Sequence, residues 1–224
     1  MNNFIAALLL FISIESCQNK TIAQQTIRYV SLGDSYTIGT GAKENESWPV
    51  LLTKHLNENN IKTELIANPS FNGRTTQGVI NYELPILDQS KPSFVTLFIG
   101  VNDWVIGVDS ITFRKNLAYI IEHVQAQLPD KSKLILITLP DFGVTPSGPH
   151  YSHGRNISEG ISEFNSIISS EAKKRKLKTV DLFEVSKKMG TNPDLVSADG
   201  LHPSAKGYAV WESSIYPVVF SLLK

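Results

Sequence analysis

The sequence predicts a three-layer α/β/α sandwich built on a five-stranded parallel sheet. Five apolar runs with strand character alternate along the chain with amphipathic segments of helical period. Strands separated by helices pair in parallel through right-handed crossovers, which place helices on both faces of the sheet. The length of 224 residues and the hydrophobic content of 42% suit one domain with a substantial core.

The elements follow one another in a regular order. The predicted strands cover 26–31, 62–68, 93–99, 133–138 and 177–182. The third and fourth strands are almost wholly apolar, as expected of central strands that are covered on both faces. The predicted helices cover 48–59, 75–88, 111–128, 158–175 and 204–223. Ser47 followed by Pro49 marks the start of the first helix, and Ser158 marks the start of the fourth.

Polar residues follow the ends of the predicted strands. Ser35 follows the first strand, Gly73 the second and Asn102 the third. A long loop at 139–156 follows the fourth strand, and loops of that length in a compact domain are often functional. Ligands of open parallel sheets bind beyond the carboxyl ends of the strands. These residues, which are distant in sequence, are therefore expected to converge at one edge of the sheet.

The N-terminus differs in kind from the rest of the chain. The apolar run from Phe4 to Ile14 has the length of a signal-peptide core and is too short to span a bilayer as a stable helix. The predicted organisation is a signal peptide at 1–16, a tether at 17–26 and one domain at 27–224.

Cys17 is the only cysteine of the chain and directly follows the predicted signal peptide. The stretch I-E-S-C that ends at Cys17 resembles a bacterial lipobox, in which the cysteine is lipidated and anchors the mature protein to a membrane. The alternative is a secretory signal that is cleaved a few residues later, near Ala23. Either reading predicts an exported protein, which is a membrane-anchored or periplasmic lipoprotein or is secreted. With a single cysteine, no disulfide can form within one chain. The sequence indicates no oligomeric state.

The charge balance excludes one class of partner. The chain has 21 lysine and arginine residues against 21 aspartate and glutamate residues. Nucleic-acid binding requires a clustered basic excess, so we expect no nucleic-acid partner. The one strongly basic run, at 173–176, lies at the end of a predicted helix, where cations favour the helix dipole.

Ser35 stands where either a turn residue or a nucleophile would be found. A serine hydroxyl is a poor nucleophile at neutral pH and needs a positioned base. His202 is the leading candidate, because Asp199 precedes it by three residues in a turn and could accept its Nδ1 proton. The alternative is a capping arrangement before the last helix, in which aspartate and serine are ordinary residues. His150 and His153 have a spacing compatible with zinc, but no further ligands are evident nearby.

Two segments offer donors for a developing oxyanion. Gly73 lies in a loop that opens a predicted helix, where its backbone N–H is unpaired. Asn102 lies just past a buried strand, where its side-chain amide could face the same edge of the sheet. Taken alone, each is equally compatible with a structural role as a turn glycine or a loop asparagine.

Together these residues form four ordered blocks: G-D-S at 33–35, N-x-S-x-x-G-x-T at 68–75, G-x-N-D at 100–103 and D-x-x-H at 199–202. In this order they resemble the GDSL esterase/lipase group, also called SGNH hydrolases, over nearly the whole mature chain. The resemblance implies a flavodoxin-like sheet and a carboxylic ester hydrolase with Ser35 as nucleophile, His202 as base and Asp199 as its orienting residue. It also implies an oxyanion hole made of the backbone N–H groups of Ser35 and Gly73 and the side chain of Asn102. It implies no metal and no organic cofactor.

The resemblance leaves the substrate open. Tyr36 stands where the group usually has leucine, so the acyl pocket is expected to differ in shape. Asp34 and Asp103 match motif positions and are expected to order loops through hydrogen bonds. The pocket walls are expected to come from Tyr36, Phe71, Trp104, Val105, Phe142 and Tyr151. Candidate substrates are small acyl esters or lysophospholipids, with an acetylated sugar, the substrate of a carbohydrate O-acetyl esterase, as the alternative.

Other classes of protein fit the sequence less well. A catalytically inactive envelope binding protein could use the same fold, but it has no need for all five site residues. An α/β-hydrolase would carry G-x-S-x-G around its nucleophile, and no serine here does. The histidine-rich ligand blocks of metal-dependent phosphoesterases are absent, as is the G-x-x-x-x-G-K-[ST] of phosphate-cradling NTPases.

Overall fold

The computed structural model describes residues 25–224, and the predicted signal peptide and Cys17 lie outside this range. Within it, one parallel sheet contains β1 (Ile27–Gly33), β2 (Thr63–Ala67), β3 (Phe94–Phe98), β4 (Leu134–Ile137) and β5 (Lys178–Val180). The order across the sheet is β2-β1-β3-β4-β5. The chain therefore runs to one edge with β2, returns past β1 and continues to the other edge. The predicted five-stranded parallel sheet is confirmed.

Helices cover both faces of this sheet. They are α1 (Ser35–Ile38), α2 (Trp48–Glu58), α3 (Thr76–Gly78), α4 (Leu84–Ser90), α5 (Val101–Val105), α6 (Ser110–Gln127), α7 (Ile157–Lys174), α8 (Phe183–Ser186) and α9 (Ala205–Leu223). The helices α2 and α9 pack together on one face, and α4, α6 and α7 lie on the other. Short 3₁₀ turns occupy Glu44–Glu46, Phe142–Val144, Gly148–Tyr151, Lys187–Gly190 and Pro193–Leu195. Across residues 25–224, none of the helices is both long enough and apolar enough to cross a membrane.

The core lies on both faces of the sheet. Every residue of β3 and β4 is buried, which explains the continuous apolar sequence of these two strands. On one face, Phe113 of α6 stacks on Phe164 of α7 with ring centroids 4.2 Å apart. On the other face, the ring of Trp211 in α9 lies 5.9 Å from that of Phe98 at the end of β3.

Element boundaries agree with the predicted ones to within a few residues, with two corrections. Ser158 lies inside α7 rather than at its start, because Asn156 caps the helix by accepting a hydrogen bond from the Glu159 backbone N–H at 3.2 Å. The Ser158 hydroxyl donates instead to Asp141 in the preceding loop, at 2.7 Å. The segment 75–88, predicted as one helix, is divided into α3 and α4 by a π-helical turn at Val79–Glu83.

The long loop at 139–156 is fastened to α5. The guanidinium of Arg155 lies 4.0 Å from the centroid of the Trp104 ring and donates a hydrogen bond to the carbonyl oxygen of Val105 at 2.9 Å. A cation over an aromatic face is attracted by the ring quadrupole. The loop after β4 and the helix after β3 therefore form one wall at the carboxyl edge of the sheet.

Candidate active site

A sharp turn from strand to helix presents Ser35 at the carboxyl end of β1. The strand ends at Gly33, and Asp34 caps α1 by accepting a hydrogen bond from the Tyr36 backbone N–H at 3.0 Å. Only glycine fits at position 33, because a Cβ there would lie 2.5 Å from the carbonyl oxygen of Phe98. Ser35 is the first residue of α1, and its backbone N–H donates to no group within residues 25–224.

Ser35, His202 and Asp199 form a continuous chain of hydrogen bonds. The Oγ of Ser35 lies 2.9 Å from Nε2 of His202, and Nδ1 of His202 lies 2.7 Å from Oδ2 of Asp199. The other carboxylate oxygen, Oδ1, accepts hydrogen bonds from the hydroxyl of Ser197 at 2.7 Å and from the backbone N–H groups of Leu201 and His202 at 2.8 and 2.9 Å. All four contacts hold the carboxylate in one orientation.

The same contacts set the charge of the Asp199 carboxyl group. Partial burial alone would raise its pKa, but the hydrogen bonds from Leu201, His202 and Ser197 outweigh burial and lower the pKa from 3.8 to about 2. An ionised carboxylate can only accept, so the imidazole proton of His202 lies on Nδ1. The Nε2 atom is then free to accept the hydroxyl proton of Ser35, as a general base must.

Gly73 and Asn102 border the same cavity as Ser35. Gly73 has a φ of 75°, which glycine adopts without strain, and no acceptor in the described part of the chain receives its backbone N–H. The side-chain amide of Asn102 donates to the carbonyl of Arg74 at 3.0 Å. Its second contact, 3.4 Å to Asp34, is long and weak, so an incoming oxygen can replace it. These two groups and the Ser35 N–H can all serve one oxyanion.

Two buried carboxyl groups brace the segments that carry these donors. Burial raises the pKa of Asp34 to about 7, with a smaller contribution from the nearby charge of Asp103. Burial also raises the pKa of Asp103, which accepts hydrogen bonds from the backbone N–H (2.8 Å) and the hydroxyl of Thr76. Asp34 thus orders the turn at α1 through its contact with the Tyr36 N–H, and Asp103 joins α5 to the start of α3. These contacts agree with the loop-ordering roles predicted for both residues.

The cavity beside Ser35 has a volume of about 210 Å³. Its lining consists of Ser35, Tyr36, Asn72, Gly73, Val101, Asn102, Val105, Phe142, Tyr151, Leu201 and His202. A larger and more open cleft of about 470 Å³ lies next to it, and Asn72 lines both. Ile38, Val50, Leu65 and Phe71 supply the apolar part of that cleft. The site is therefore a small, mainly apolar cavity with an open cleft at its side.

A protein family described as GDSL-like lipase/acylhydrolase has a sequence pattern that matches residues 31–210 of this chain. This range covers most of the chain and contains every residue of the candidate site. The chain belongs to the GDSL-like lipase/acylhydrolase family. It is a carboxylic ester hydrolase of the GDSL serine esterase type, as the sequence predicts.

Named relatives of this GDSL esterase extend over most of its length. Esterase TesA of Pseudomonas aeruginosa is 27% identical over 204 residues, which cover 90% of this chain and 90% of that protein. The thioesterase 1/protease 1/lysophospholipase L1 of Escherichia coli K12 is 26% identical over 173 residues, covering 77% of this chain and 74% of that protein. The crystal structure of TesA matches with a TM-score of 0.69 at 25% identity, covering 88% of this chain and 99% of that chain. The structural match confirms the predicted α/β/α fold.

The side chains predicted to form the substrate pocket of the esterase occupy three different environments. Four of them line the cavity beside the candidate nucleophile: Tyr36, Val105, Phe142 and Tyr151. Tyr36 also packs against the imidazole of His202, with ring centroids 5.2 Å apart. Phe71 lies instead in the adjoining cleft, where 60% of its surface is exposed.

The structure corrects the position expected for Trp104, which lines neither the cavity nor the cleft. Its side chain is buried beneath Arg155 and against Phe142, with ring centroids 5.9 Å apart. In α5, Val101, Asn102 and Val105 line the cavity, whereas Trp104 is directed towards Arg155 and Phe142 and away from the cavity.

Three further cavity residues have no role in the sequence-based prediction. Val101 and Leu201 add apolar surface, and Asn72 separates the cavity from the adjoining cleft. Each directly neighbours a predicted residue in sequence. That adjacency is a usable signal, because the backbone that presents a catalytic group also brings its neighbours to the site.

The histidines of the long loop stand apart from this site. His150 and His153 are both exposed, and neither lines the cavity. Across residues 25–224, no three His, Cys, Asp or Glu side chains are grouped in the manner of a metal site.

Proposed function

We propose that this esterase acts through an acyl-enzyme intermediate, with Ser35 as nucleophile, His202 as general base and Asp199 as the residue that orients the base. The observation that carries the proposal is the hydrogen-bonded chain from Ser35 Oγ to His202 Nε2 (2.9 Å) and from His202 Nδ1 to Asp199 (2.7 Å), which opens onto a cavity. Nucleophile, base and orienting group in hydrogen-bond reach of one another are the signature of this chemistry.

In the first step, Ser35 Oγ attacks the ester carbonyl carbon while His202 Nε2 takes the hydroxyl proton. The carbonyl oxygen becomes an oxyanion, which accepts hydrogen bonds from the backbone N–H groups of Ser35 and Gly73 and from the Asn102 amide. His202 then gives the proton to the leaving alcohol, and the acyl group remains on Ser35. In the second step, His202 takes a proton from water, which attacks the acyl group, and the proton returns to Ser35 as the acid leaves.

Replacement of Ser35 tests the proposal. Ser35→Ala should abolish turnover of a short p-nitrophenyl ester and labelling by a fluorophosphonate probe, with the circular dichroism spectrum unchanged. Ser166→Ala is a matched control, because its hydroxyl bonds only to a carbonyl within α7 at 3.0 Å. Turnover by Ser35→Ala at the wild-type rate would refute the assignment.

We propose short acyl esters as the preferred substrates. A cavity of about 210 Å³ is smaller than the roughly 300–1,000 Å³ typical of pockets for larger ligands. Its apolar walls, which include Val105, Phe142 and Leu201, suit a hydrocarbon group of limited length. Lysophospholipids are the second candidate. They are favoured by the adjoining cleft of about 470 Å³ and by the Escherichia coli relative whose name includes a lysophospholipase.

A panel of substrates separates these candidates. p-Nitrophenyl esters from acetate to laurate, lysophosphatidylcholine and acetylated xylan would be compared by kcat/KM. We expect kcat/KM to be highest for acyl chains of a few carbons and to fall for long ones. A continuous rise to laurate, together with rapid hydrolysis of lysophosphatidylcholine, would contradict the short-chain preference. Preference for acetylated xylan over p-nitrophenyl acetate would favour a carbohydrate O-acetyl esterase.

We also propose that the protein is exported through its N-terminal segment and anchored by lipidation of Cys17. The support is the apolar run from Phe4 to Ile14 and the I-E-S-C stretch that follows it. The wild type should incorporate labelled palmitate, and Cys17→Ser should lose this label and change the gel mobility of the protein. Absence of the label from the wild type, with equal gel mobility of wild type and Cys17→Ser, would favour a plain secretory signal instead.

A further inference from the structure

The π-helical turn at Val79–Glu83 places a fully buried carboxylate beside the strand that leads to Ser35. Glu83 is 0% exposed, and its Oε2 accepts a hydrogen bond from the Gly33 backbone N–H at 3.0 Å. Its other oxygen, Oε1, accepts a hydrogen bond from Nε of Arg74 at 3.1 Å. A π-turn inserts one residue into a helix and often marks a functional region. Here it occurs where a helix approaches the end of β1.

Arg74 connects this carboxylate to two of the proposed oxyanion donors. It directly follows Gly73 in the chain, and its own carbonyl oxygen accepts the hydrogen bond from the Asn102 amide at 3.0 Å. Its guanidinium carbon lies 5.3 Å from the ring centroid of Phe71 and 4.9 Å from that of Tyr82. The side chain is therefore held by an ion pair and by two aromatic rings, and it is only 17% exposed.

The arrangement is costly as a device for stability alone. Burial raises the pKa of Glu83, whereas the hydrogen bond from Gly33 and the charge of Arg74 lower it and favour the ionised carboxylate. The desolvation of such a pair largely cancels its attraction, so a buried ion pair contributes little net stability compared with apolar residues of the same size. What the pair does determine is the relative position of three backbone segments: the end of β1, the loop at Gly73 and the start of α5.

We propose that Glu83 and Arg74 are positioning residues of the oxyanion hole. Glu83 fixes the backbone that enters the turn at Ser35. Arg74 fixes the Gly73 peptide and the Asn102 amide. The salt bridge between Arg74 and Glu83 holds these two donors in a fixed position relative to the backbone at Ser35. The inference rests on the proposed function, because it requires Ser35, Gly73 and Asn102 to act as assigned there. Neither positioning residue touches the substrate, and no proton transfer passes through them.

The variant Glu83→Gln tests the pair with almost no change of volume. A carboxylate can accept at both oxygens, whereas an amide accepts at one end and donates at the other. Either the Gly33 N–H or the Arg74 Nε–H must therefore lose its acceptor. Misplacement of about 1 Å at a reacting centre can cost a hundredfold in rate. We expect kcat for a p-nitrophenyl ester to fall about tenfold to a hundredfold, with KM changed less than about twofold.

Arg74 provides an independent variant that tests the same prediction even if Glu83→Gln fails to fold. Arg74→Gln should lower kcat to a similar extent, and the double variant should be no worse than either single one, because the pair acts as a unit. Arg74→Lys keeps a cationic donor and should recover part of the lost kcat. Additive losses in the double variant, or no recovery in Arg74→Lys, would overturn the proposal.

A matched control separates positioning from general destabilisation. Glu171 in α7 is also a buried carboxylate held by two arginines, Arg114 and Arg175, but it lies away from the cavity. Glu171→Gln should lower the melting temperature and leave kcat unchanged. If Glu83→Gln behaves in the same way, with kcat within about twofold of wild type, the inference is wrong. If Ser35→Ala retains activity, the proposed function itself is wrong, so the two failures are distinguishable.

Discussion

Replacing Asp199 by asparagine changes one oxygen atom to an NH₂ group and should nevertheless remove most of the activity. Three donors converge on Oδ1: the Ser197 hydroxyl and the backbone N–H groups of Leu201 and His202. One donor, His202 Nδ1–H, faces Oδ2 at 2.7 Å. The amide oxygen of Asn will therefore take the Oδ1 position, and its NH₂ group will face the imidazole. That orientation allows Nδ1 only to accept, so the imidazole proton moves to Nε2.

The magnitude follows from this change of tautomer. With the proton on Nε2, His202 faces Ser35 with a donor and cannot take the hydroxyl proton. A change of this kind in a serine triad lowers kcat on the order of 10⁴-fold, which corresponds to about 5 kcal/mol of activation free energy. Stability should change much less, by about 1 kcal/mol or less, because the side chain of Asp199 is 41% exposed and its contacts at Oδ1 survive.

The assay is steady-state hydrolysis of p-nitrophenyl acetate, with melting temperature measured on the same samples. Asp194→Asn is the matched control: Asp194 is an exposed aspartate that pairs with Lys206 at 2.8 Å, and the residue does not line the cavity. It should retain wild-type kinetics. If Asp199→Asn keeps more than about a tenth of wild-type kcat while folded, the orienting role of Asp199 and the tautomer argument are both refuted.

Further predictions concern the buried carboxyl group of Asp34, the contacts of Arg155 that hold the long loop on α5, and Gly73 with its positive φ. Burial raises the pKa of Asp34 from 3.8 to about 7, so the folded protein binds a proton that the unfolded chain loses at lower pH. The free energy of unfolding of the wild type, measured by urea titration, should therefore fall as pH rises between those values. In Asp34→Asn this contribution should be absent, and the free energy of unfolding should fall less over the same range. Arg155→Ala should cost about 1–2 kcal/mol and make the long loop more sensitive to limited proteolysis. Gly73→Ala has open space for its Cβ, but φ of 75° costs about 1–2 kcal/mol, and relaxation would rotate the N–H and lower kcat. Gly107→Ala, at φ of 80° and also in open space, is its control.

Each of these predictions has a result that would contradict it. An unfolding free energy with the same pH profile in Asp34→Asn and wild type would show that this carboxyl is not the group that titrates. Unchanged proteolytic cleavage of the loop in Arg155→Ala would mean that the contacts of Arg155 with Trp104 and Val105 do not hold the loop in place. Equal kcat in Gly73→Ala and Gly107→Ala would contradict the proposal that the backbone N–H of Gly73 donates a hydrogen bond to the oxyanion.

The sheet could be predicted from the sequence because apolar runs and helical periodicity are local signals that every strand and long helix carries. The convergence of the candidate site residues could be predicted for a related reason: Ser35, Gly73 and Asn102 lie after the ends of parallel strands, and these ends meet at one edge. Ser35 and Asn102 are recognisable in this way. His202 is recognisable because its partner Asp199 lies three residues away.

What the sequence could not predict depends on contacts between distant segments. The five residues of α5 are too few for a periodic signal, so the sequence did not show that Val105 lines the cavity and that Trp104 does not. Glu83 belongs to an amphipathic stretch, where a glutamate ordinarily faces solvent. Its burial depends on a π-turn and on partners at Gly33 and Arg74, neither of which local periodicity reports.

The position of the proposed base in the chain has a consequence for when the enzyme becomes active. His202 lies 167 residues after Ser35, and the helix that follows it docks by a hydrogen bond from the Tyr208 hydroxyl to the carbonyl of Thr40, at 2.8 Å. A growing polypeptide thus contains the proposed nucleophile, Ser35, long before the proposed base, His202, is synthesised. Under the proposed mechanism, ester hydrolysis therefore begins only after His202 has been synthesised and the helix that follows it has docked.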